Sequence, residues 1–201
     1  MYWDEVIKQK TLDNISYDGW LDKYLVGKVS PSTNIIELRC GWGDDTSFLH
    51  KLGCNLISCD GSIEAVKFIN KYLPQVETRQ FDLISSFPFD NEAADYIVAD
   101  LCLHYFDNEE MNAILHEVHR VLKGDGTLYV RINSINDINY GAGQGVLISE
   151  GLYLSEKGKK RFFDKNSVEE VFQSFNIISI EEVIITKYGK PKMAWEIVLT
   201  K

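Results

Sequence analysis

Three aspartates, Asp60, Asp82 and Asp100, each follow a short segment of strand-like sequence, and a glycine turn at Gly41 and Gly43 precedes them. Parallel strands in an open α/β sheet bring their carboxyl ends to one edge, so residues that end such strands meet around a bound ligand. An aspartate roughly 20 residues after the glycine turn suits the two hydroxyls of a ribose. Together these features predict a nucleoside-type cofactor site.

The glycine turn lies in residues 35–49, which read IIELRCGWGDDTSFL. The two β-branched isoleucines at the start favour a buried strand. Gly41 and Gly43 permit a tight turn and a close approach of the backbone to a ligand. Either Asp44 or Asp45 is expected to cap the helix that follows. The segment therefore predicts a strand, a turn and a helix start in immediate succession.

Strand-like and helix-like segments alternate along most of the chain. The predicted strands are residues 35–38, 55–59, 76–81, 94–99, 127–132, 176–186 and 194–200, and the predicted helices are residues 46–51, 62–73, 108–123 and 164–175. This βαβ repetition implies a mostly parallel sheet with helices on both faces. The short connection at residues 188–191 favours an antiparallel pair at the end of the chain.

The 201 residues fit a single domain. Residues 1–30 are predicted to form a helical cap outside the sheet. Residues 133–163 are rich in glycine and are predicted to be irregular. Because this stretch is too long for a routine connection, we expect it to cover the functional site.

The chain has a net charge of −9 and a pI near 4.9, so its long-range field repels phosphate backbones and anionic membranes. We therefore expect neither nucleic acid nor a membrane among its partners, despite a basic patch at Lys157, Lys159, Lys160 and Arg161. No apolar run reaches the roughly 18 residues needed to span a bilayer, and no signal core follows the start of the chain. A cytoplasmic location is expected.

The four cysteines, Cys40, Cys54, Cys59 and Cys102, lie in or beside strand-like segments without metal-ligand spacing. They are predicted to be reduced core residues, and no metal site is expected. The oligomeric state is expected to be a monomer or a weak homodimer.

A dinucleotide site would require a third glycine after the turn, but Thr46 occupies that position. A pyrophosphate at the helix start would also face Asp44 and Asp45. Two like charges about 4 Å apart repel by roughly 4 kcal/mol at an effective dielectric constant near 20. A cationic cofactor without phosphate suits this acidic turn better.

The sequence Glu37-Leu38-Arg39-Cys40-Gly41-Trp42-Gly43 resembles the first motif of the class I S-adenosylmethionine-dependent methyltransferases. The resemblance covers residues 34–134 by motif and the whole chain by element order. It implies a Rossmann-like three-layer α/β sandwich with a seven-stranded, mostly parallel sheet and an antiparallel C-terminal hairpin strand. Arg39 stands where the family has its first glycine. Its side chain could crowd the cofactor or could bind the cofactor carboxylate through its forked guanidinium.

The resemblance also implies where the cofactor binds. Asp82 is expected to hold the adenine amino group while the next backbone amide contacts the ring, and Asp100 is expected near the methionine part. The full set of expected cofactor residues is Glu37, Arg39, Gly41, Gly43, Thr46, Asp60, Gly61, Asp82, Leu83, Asp100 and Leu101. S-adenosylmethionine carries a sulfonium and an ammonium, which an acidic cleft attracts.

The methyl acceptor is expected between residues 2–20, 104–106 and 133–163. His104 is the candidate for proton removal because its intrinsic pKa is close to physiological pH. The candidates for acceptor binding are Tyr105, Arg131, Asn133, Tyr140, Tyr153 and Arg161. A similarity to the small tellurite-resistance and thiopurine-type methyltransferases implies a small-molecule acceptor. The alternatives are a non-catalytic protein that binds S-adenosylmethionine or S-adenosylhomocysteine and, less favoured, an NAD-dependent oxidoreductase.

Overall fold

The structure is a computed structural model and describes residues 2–156 and 158–201, so the predicted basic patch extends outside the described residues at Lys157. The helices are α1 (Tyr2–Lys8), α2 (Asp22–Leu25), α3 (Asp44–Lys51), α4 (Ile63–Tyr72), α5 (Asn108–Val121) and α6 (Lys165–Val171). The strands are β1 (Asn34–Leu38), β2 (Asn55–Asp60), β3 (Glu77–Gln80), β4 (Ala94–Asp100), β5 (Leu122–Asn133), β6 (Val146–Ser149), β7 (Leu152–Ser155), β8 (Gly158–Arg161), β9 (Asn176–Ile185) and β10 (Lys192–Thr200). Short 3-10 turns occupy Leu12–Asn14, Leu103–Tyr105 and Ile138–Tyr140.

Seven strands form one sheet in the order β3-β2-β1-β4-β5-β10-β9. The first five strands of this order run parallel, and β10 runs antiparallel to both β5 and β9. The predicted Rossmann-like fold with a reversed C-terminal hairpin is therefore confirmed. The carboxyl ends of β1, β2 and β4 lie side by side, which brings their last residues to one edge.

Apolar side chains cover both faces of this sheet. One cluster packs α5 and α6 against the sheet through residues such as Met111, Val118 and Phe172. The other cluster packs the N-terminal segment, α3 and α4 against the opposite face. Leu21 and Leu25 of the N-terminal segment are fully buried there. The first 30 residues thus contribute to the core in addition to lying outside the sheet.

Two helix boundaries differ from the sequence-based prediction. The cap of α3 is Gly43, with φ of 88°, and Asp44 and Asp45 form the first helical turn instead of capping it. Helix α5 ends at Val121, and the residues predicted to complete it begin strand β5. Val121 and Leu122 are both fully buried, so the apolar pattern that suggested a longer helix suits the strand equally well.

The prediction that residues 133–163 are irregular was wrong. Strands β6, β7 and β8 form a separate three-stranded antiparallel sheet, hereafter the insertion sheet. The glycines serve its close packing: a Cβ on Gly145 would lie 2.6 Å from the Leu154 carbonyl oxygen, and one on Gly151 would lie 2.5 Å from the Phe162 carbonyl oxygen. Glycine content alone could not distinguish this packing from irregular chain.

The chain segment that carries the insertion sheet leaves the main sheet and returns to it at nearly the same point. Ser134 and Phe163 pair as a β-bridge. The Phe163 amide donates to the Asn133 carbonyl at 3.0 Å, and the Ile135 amide donates to the Phe163 carbonyl at 2.9 Å.

None of the helices in the described ranges is long and apolar enough to cross a membrane.

Candidate active site

A cavity of about 540 Å³ opens at the carboxyl ends of β1, β2 and β4. Twelve of the predicted site residues line it: Glu37, Arg39, Gly41, Asp60, Gly61, Asp82, Leu83, Asp100, Leu101, His104, Tyr105 and Tyr140. The other predicted residues, which do not line it, are Gly43, Thr46, Arg131, Asn133, Tyr153 and Arg161. The structure therefore brings together most of the expected cofactor residues but few of the expected acceptor residues.

Glu37 lies at the base of this cavity and is almost fully buried. Its Oε2 accepts hydrogen bonds from the Thr46 and Ser58 hydroxyls, both at 2.6 Å. Thr46 thus supports Glu37 instead of facing the cavity. Burial raises the pKa of Glu37 to about 7, with Asp100 and Asp60 adding to the increase, although the two hydroxyl donors oppose it.

Because the folded protein holds the proton on Glu37 more tightly than the unfolded chain does, this group stabilises the fold below pH 4.5. That stabilisation is lost as the pH rises from 4.5 to about 7 and amounts to about 3 kcal/mol. Glu37→Gln should remove this pH dependence. We expect the free energy of unfolding of wild type to fall relative to the variant between pH 5 and 8 in urea denaturation. If the free energies of unfolding of wild type and Glu37→Gln changed in parallel with pH, the raised pKa of Glu37 would be contradicted. Glu77→Gln, which replaces an exposed glutamate, is the control.

Arg39 adopts the left-handed backbone conformation, with φ of 55°, at the position where the resembling motif has glycine. The backbone therefore follows the path that glycine permits while carrying a long cationic side chain. The guanidinium carbon lies 5.4 Å from the centre of the Tyr105 ring and 5.8 Å from that of Phe106. Arg39 thus contacts the aromatic segment that follows β4.

Asp60 ends β2 and joins two loops at the cavity wall. Its Oδ2 accepts from the Gly41 amide at 3.0 Å, and its Oδ1 accepts from the Ser62 amide at 2.8 Å. The side chain is nearly buried but borders the cavity. Since each carboxylate oxygen can accept more than one hydrogen bond, both oxygens retain capacity for a ligand.

Arg131 was predicted to bind the acceptor, but the structure buries it below the cavity. Its Nε and Nη2 donate to the two Asp100 oxygens at 2.6 and 2.8 Å, and its Nη1 donates to Asp18 at 2.8 Å. The guanidinium also lies 4.5 Å from the Trp20 ring centre. Burial alone would raise the pKa of Asp100, but the Arg131 charge outweighs it and holds the pKa below the usual carboxyl value. The prediction that Arg131 binds the acceptor is therefore corrected: Arg131 supports Asp100 and does not line the cavity.

Two further acceptor candidates are engaged within the insertion and its neighbours. The Asn133 side chain accepts from Lys192 Nζ at 2.6 Å and donates to the Arg161 carbonyl. Arg161 is buried, and its Nη1 donates to the Asn108 side chain. Asn133 and Arg161 therefore help to hold the insertion sheet against the rest of the fold and do not line the cavity. The prediction of an irregular segment did not anticipate these contacts.

Tyr153 and Gly43 were also predicted at the site, but neither lines the cavity. Tyr153 lies on β7 and packs edge-on against Phe162, with ring centres 6.1 Å apart. Gly43 faces α4 instead of the cavity: a Cβ there would lie 2.7 Å from Ile69 Cδ1. Gly43 therefore permits close helix packing and is not part of the cavity wall.

The turn between β9 and β10, together with the first residue of β10, contributes three cavity residues that the sequence did not single out: Lys187, Tyr188 and Lys192. The antiparallel register pairs Ala194 with Asn133, so this turn lies over the carboxyl end of β5. The reversed hairpin was predicted, and its short connection was the signal that could have pointed to these residues.

His104 lines the cavity with only 2% of its surface exposed. Its Nδ1 has no hydrogen-bond partner in the part of the chain that the structure describes. Burial, followed by the nearby charges of Lys192, Lys160 and Arg39, lowers the pKa of His104 well below 6.5. The imidazole is therefore neutral at physiological pH.

Comparison with known protein families gives a match over residues 35–126 to a model described as a methyltransferase domain. An uncharacterized methyltransferase of Synechocystis is 30% identical over 98 residues, covering 49% of this chain and 46% of that protein. An uncharacterized methyltransferase-like protein of Schizosaccharomyces pombe is 29% identical over 125 residues, covering 61% and 46%. The chain thus spans about half the length of the curated relatives that it matches.

Among solved structures, an S-adenosylmethionine-dependent methyltransferase from Methanosarcina mazei aligns with a TM-score of 0.77 at 18% identity, covering 92% of this chain and 98% of that chain. The 1,6-didemethyltoxoflavin N1-methyltransferase of Burkholderia thailandensis, solved with 1,6-didemethyltoxoflavin and S-adenosylhomocysteine, aligns with a TM-score of 0.66 at 15% identity, covering 85% and 71%. At such identities the similarity establishes a shared fold.

Proposed function

We propose that this chain is a class I S-adenosylmethionine-dependent methyltransferase that transfers a methyl group from S-adenosylmethionine to a small molecule. The observation that carries the proposal is the meeting of Glu37, Asp60, Asp82 and Asp100 around one cavity. Such a cavity attracts a cationic cofactor and disfavours a pyrophosphate.

The residues on the cavity wall fit the parts of this cofactor. We assign the ribose hydroxyls to Asp60, and the adenine to Asp82 and the Leu83 amide. Glu37 and Asp100 give the methionine end an acidic surrounding that suits its ammonium group. A volume of about 540 Å³ lies within the roughly 300 to 1,000 Å³ typical of small-molecule sites.

The cofactor supplies an electrophilic methyl carbon that is already activated by positive sulfur. The protein is then required mainly to align the acceptor with that carbon and to exclude water. Tyr105, Tyr140 and Tyr188 line the cavity and would enclose the acceptor. His104, neutral and buried, would hold an acceptor hydroxyl or thiol through Nδ1 and take up its proton if the acceptor must lose one.

The small-molecule acceptor is supported by the volume of the cavity, about 540 Å³, and by the Burkholderia enzyme of the same fold, which was solved with 1,6-didemethyltoxoflavin. A soft sulfur or chalcogen nucleophile remains a prediction from the resemblance to tellurite-resistance and thiopurine-type enzymes. A cytoplasmic location, a monomer or weak homodimer, and the lack of nucleic-acid or membrane partners also remain predictions.

Thermal denaturation with S-adenosylmethionine, S-adenosylhomocysteine and NAD in parallel tests the cofactor assignment. A ligand at 100 times its dissociation constant stabilises the fold by about 2.7 kcal/mol, which raises Tm by roughly 5 to 10 °C in a chain of this size. We expect this rise with the first two ligands and none with NAD. A rise with NAD alone would overturn the proposal.

Turnover separates the enzyme from the alternative of a non-catalytic binding protein. Release of S-adenosylhomocysteine should accelerate when thiols, phenols and nitrogen heterocycles are offered as acceptors. Binding of both sulfur ligands without such acceleration over the whole panel would favour the non-catalytic alternative.

A further inference from the structure

The cavity is lined by cationic side chains as well as by carboxylates. The carboxylates include Glu37, Asp60 and Asp100, at or next to the ends of β1, β2 and β4, and the cations include Arg39, Lys187 and Lys192. A cationic cofactor accounts for the carboxylates but not for the cations.

Two of the cavity's lysines are already neutralised by carboxylates. Lys192 Nζ lies 2.6 Å from Asp137 Oδ2. Lys187 Nζ lies 3.2 Å from Asp44, with Asp18 and Asp100 at 3.9 and 4.0 Å. These lysines therefore add little net positive charge to the cavity.

Arg39 differs from both lysines. Throughout residues 2–156 and 158–201, no carboxylate lies within ion-pair distance of its guanidinium, and its recorded contacts are the rings of Tyr105 and Phe106. The residue is half-buried and lines the cavity. A half-buried guanidinium whose forked donors meet no carboxylate suits an anion supplied by a ligand.

The cavity is also rich in aromatic side chains. Tyr105 and Phe106 lie beside Arg39, and Tyr140 and Tyr188 approach each other edge-on with ring centres 6.2 Å apart. All four line the cavity. Aromatic walls favour a flat ring as ligand, because offset stacking and edge-to-face contacts add to its burial.

We propose that the methyl acceptor is a small aromatic anion whose negative group is bound by Arg39. This inference rests on the proposed methyl transfer at the same cavity. It assigns Arg39 to the acceptor, so its side chain neither crowds the cofactor nor serves the cofactor carboxylate.

The reaction balances without a further reactant. A lone pair of the acceptor forms the new bond to the methyl carbon, and the electron pair of the breaking carbon–sulfur bond returns to sulfur, which becomes neutral. A nucleophile that carries a proton loses it to His104 or to solvent. The anionic group bound by Arg39 takes no part in this exchange and only positions the ring.

Matched pairs of probes that differ in one charge test the inference. We propose 4-mercaptobenzoate against 4-mercaptobenzamide and 4-hydroxybenzoate against 4-hydroxybenzamide, titrated calorimetrically into protein saturated with S-adenosylhomocysteine. The carboxylates should bind at least tenfold more tightly than the amides in wild type. Arg39→Gln should reduce this preference to less than threefold while changing the affinity for S-adenosylhomocysteine by less than threefold.

Lys165→Gln should leave the preference unchanged because this lysine is exposed on α6 and pairs with Glu169. Equal affinity for the charged and neutral probes, including no binding of either, would overturn the anionic acceptor. A loss of S-adenosylhomocysteine binding in Arg39→Gln would return Arg39 to the cofactor. Failure of wild type to bind S-adenosylhomocysteine would instead refute the proposed function itself.

Discussion

Replacing Asp60 with asparagine is expected to weaken the binding of S-adenosylhomocysteine about 100-fold. If both ribose hydroxyls donate to the carboxylate, the variant loses charge-assisted hydrogen bonds, each of which contributes about 1.5 to 3 kcal/mol. A combined loss of about 3 kcal/mol corresponds to roughly two orders of magnitude in the dissociation constant. Isothermal titration of purified wild type and variant measures this difference directly.

The Asp60 variant requires a separate measurement of folding, because the side chain also accepts from the Gly41 and Ser62 amides. Asparagine has one oxygen, so one of these amides loses its partner, at a cost of about 1 to 3 kcal/mol. Urea denaturation gives this cost, and affinity is compared at temperatures where both proteins are folded. Asp125→Asn, on an exposed part of β5, is the matched control. Unchanged affinity in a folded Asp60 variant would show that the ribose binds elsewhere.

Replacing Arg131 with methionine is expected to lower the free energy of unfolding by about 3 to 5 kcal/mol, which corresponds to a Tm roughly 10 °C lower. The variant leaves Asp100 buried without its main cation, and Asp18 loses its partner as well. An unpaired buried carboxylate destabilises far more than the loss of an exposed ion pair. Differential scanning calorimetry measures the shift.

Two comparisons sharpen the Arg131 experiment. Arg79→Met removes an arginine whose ion pair with Glu77 is largely exposed, and it should cost less than about 1 kcal/mol. Adding Asp100→Asn to Arg131→Met should restore part of the lost stability, because the buried negative charge is then gone. A loss below 1 kcal/mol in the single variant would contradict the role of Arg131 as the partner of Asp100.

The sequence was sufficient for the parts of the site that depend on strand order. Asp60 and Asp100 end β2 and β4, the two parallel strands that flank β1, so their convergence at one edge follows from βαβ repetition. Arg131 could not be assigned in the same way. The residues around Arg131 in β5 are buried on both faces of the sheet, so the sequence pattern does not show which face its side chain occupies. The structure shows that the guanidinium lies on the face where Asp18 and Asp100 pair with it.

The acceptor side was harder to predict because it is built from segments distant in sequence. Lys187 and Tyr188 enter the cavity only because β10 pairs with β5 in a particular register. Tyr153 and Arg161 were expected at the cavity as parts of an irregular cover. The strand pairing of the insertion instead turns them toward Phe162 and Asn108.

The segment that carries the insertion sheet is flanked by the paired residues Ser134 and Phe163. The two points where this segment joins the main sheet are therefore close together. The distance that the segment has to span is short whatever its length. Closing a longer or shorter loop between fixed ends changes the entropy only slowly, by about 0.6 kcal/mol for each doubling of length. Exchange of residues 135–162 must therefore keep the Asp137–Lys192 and Arg161–Asn108 contacts, and on that condition it offers a route to altered acceptor preference that leaves the strand-end aspartates unchanged.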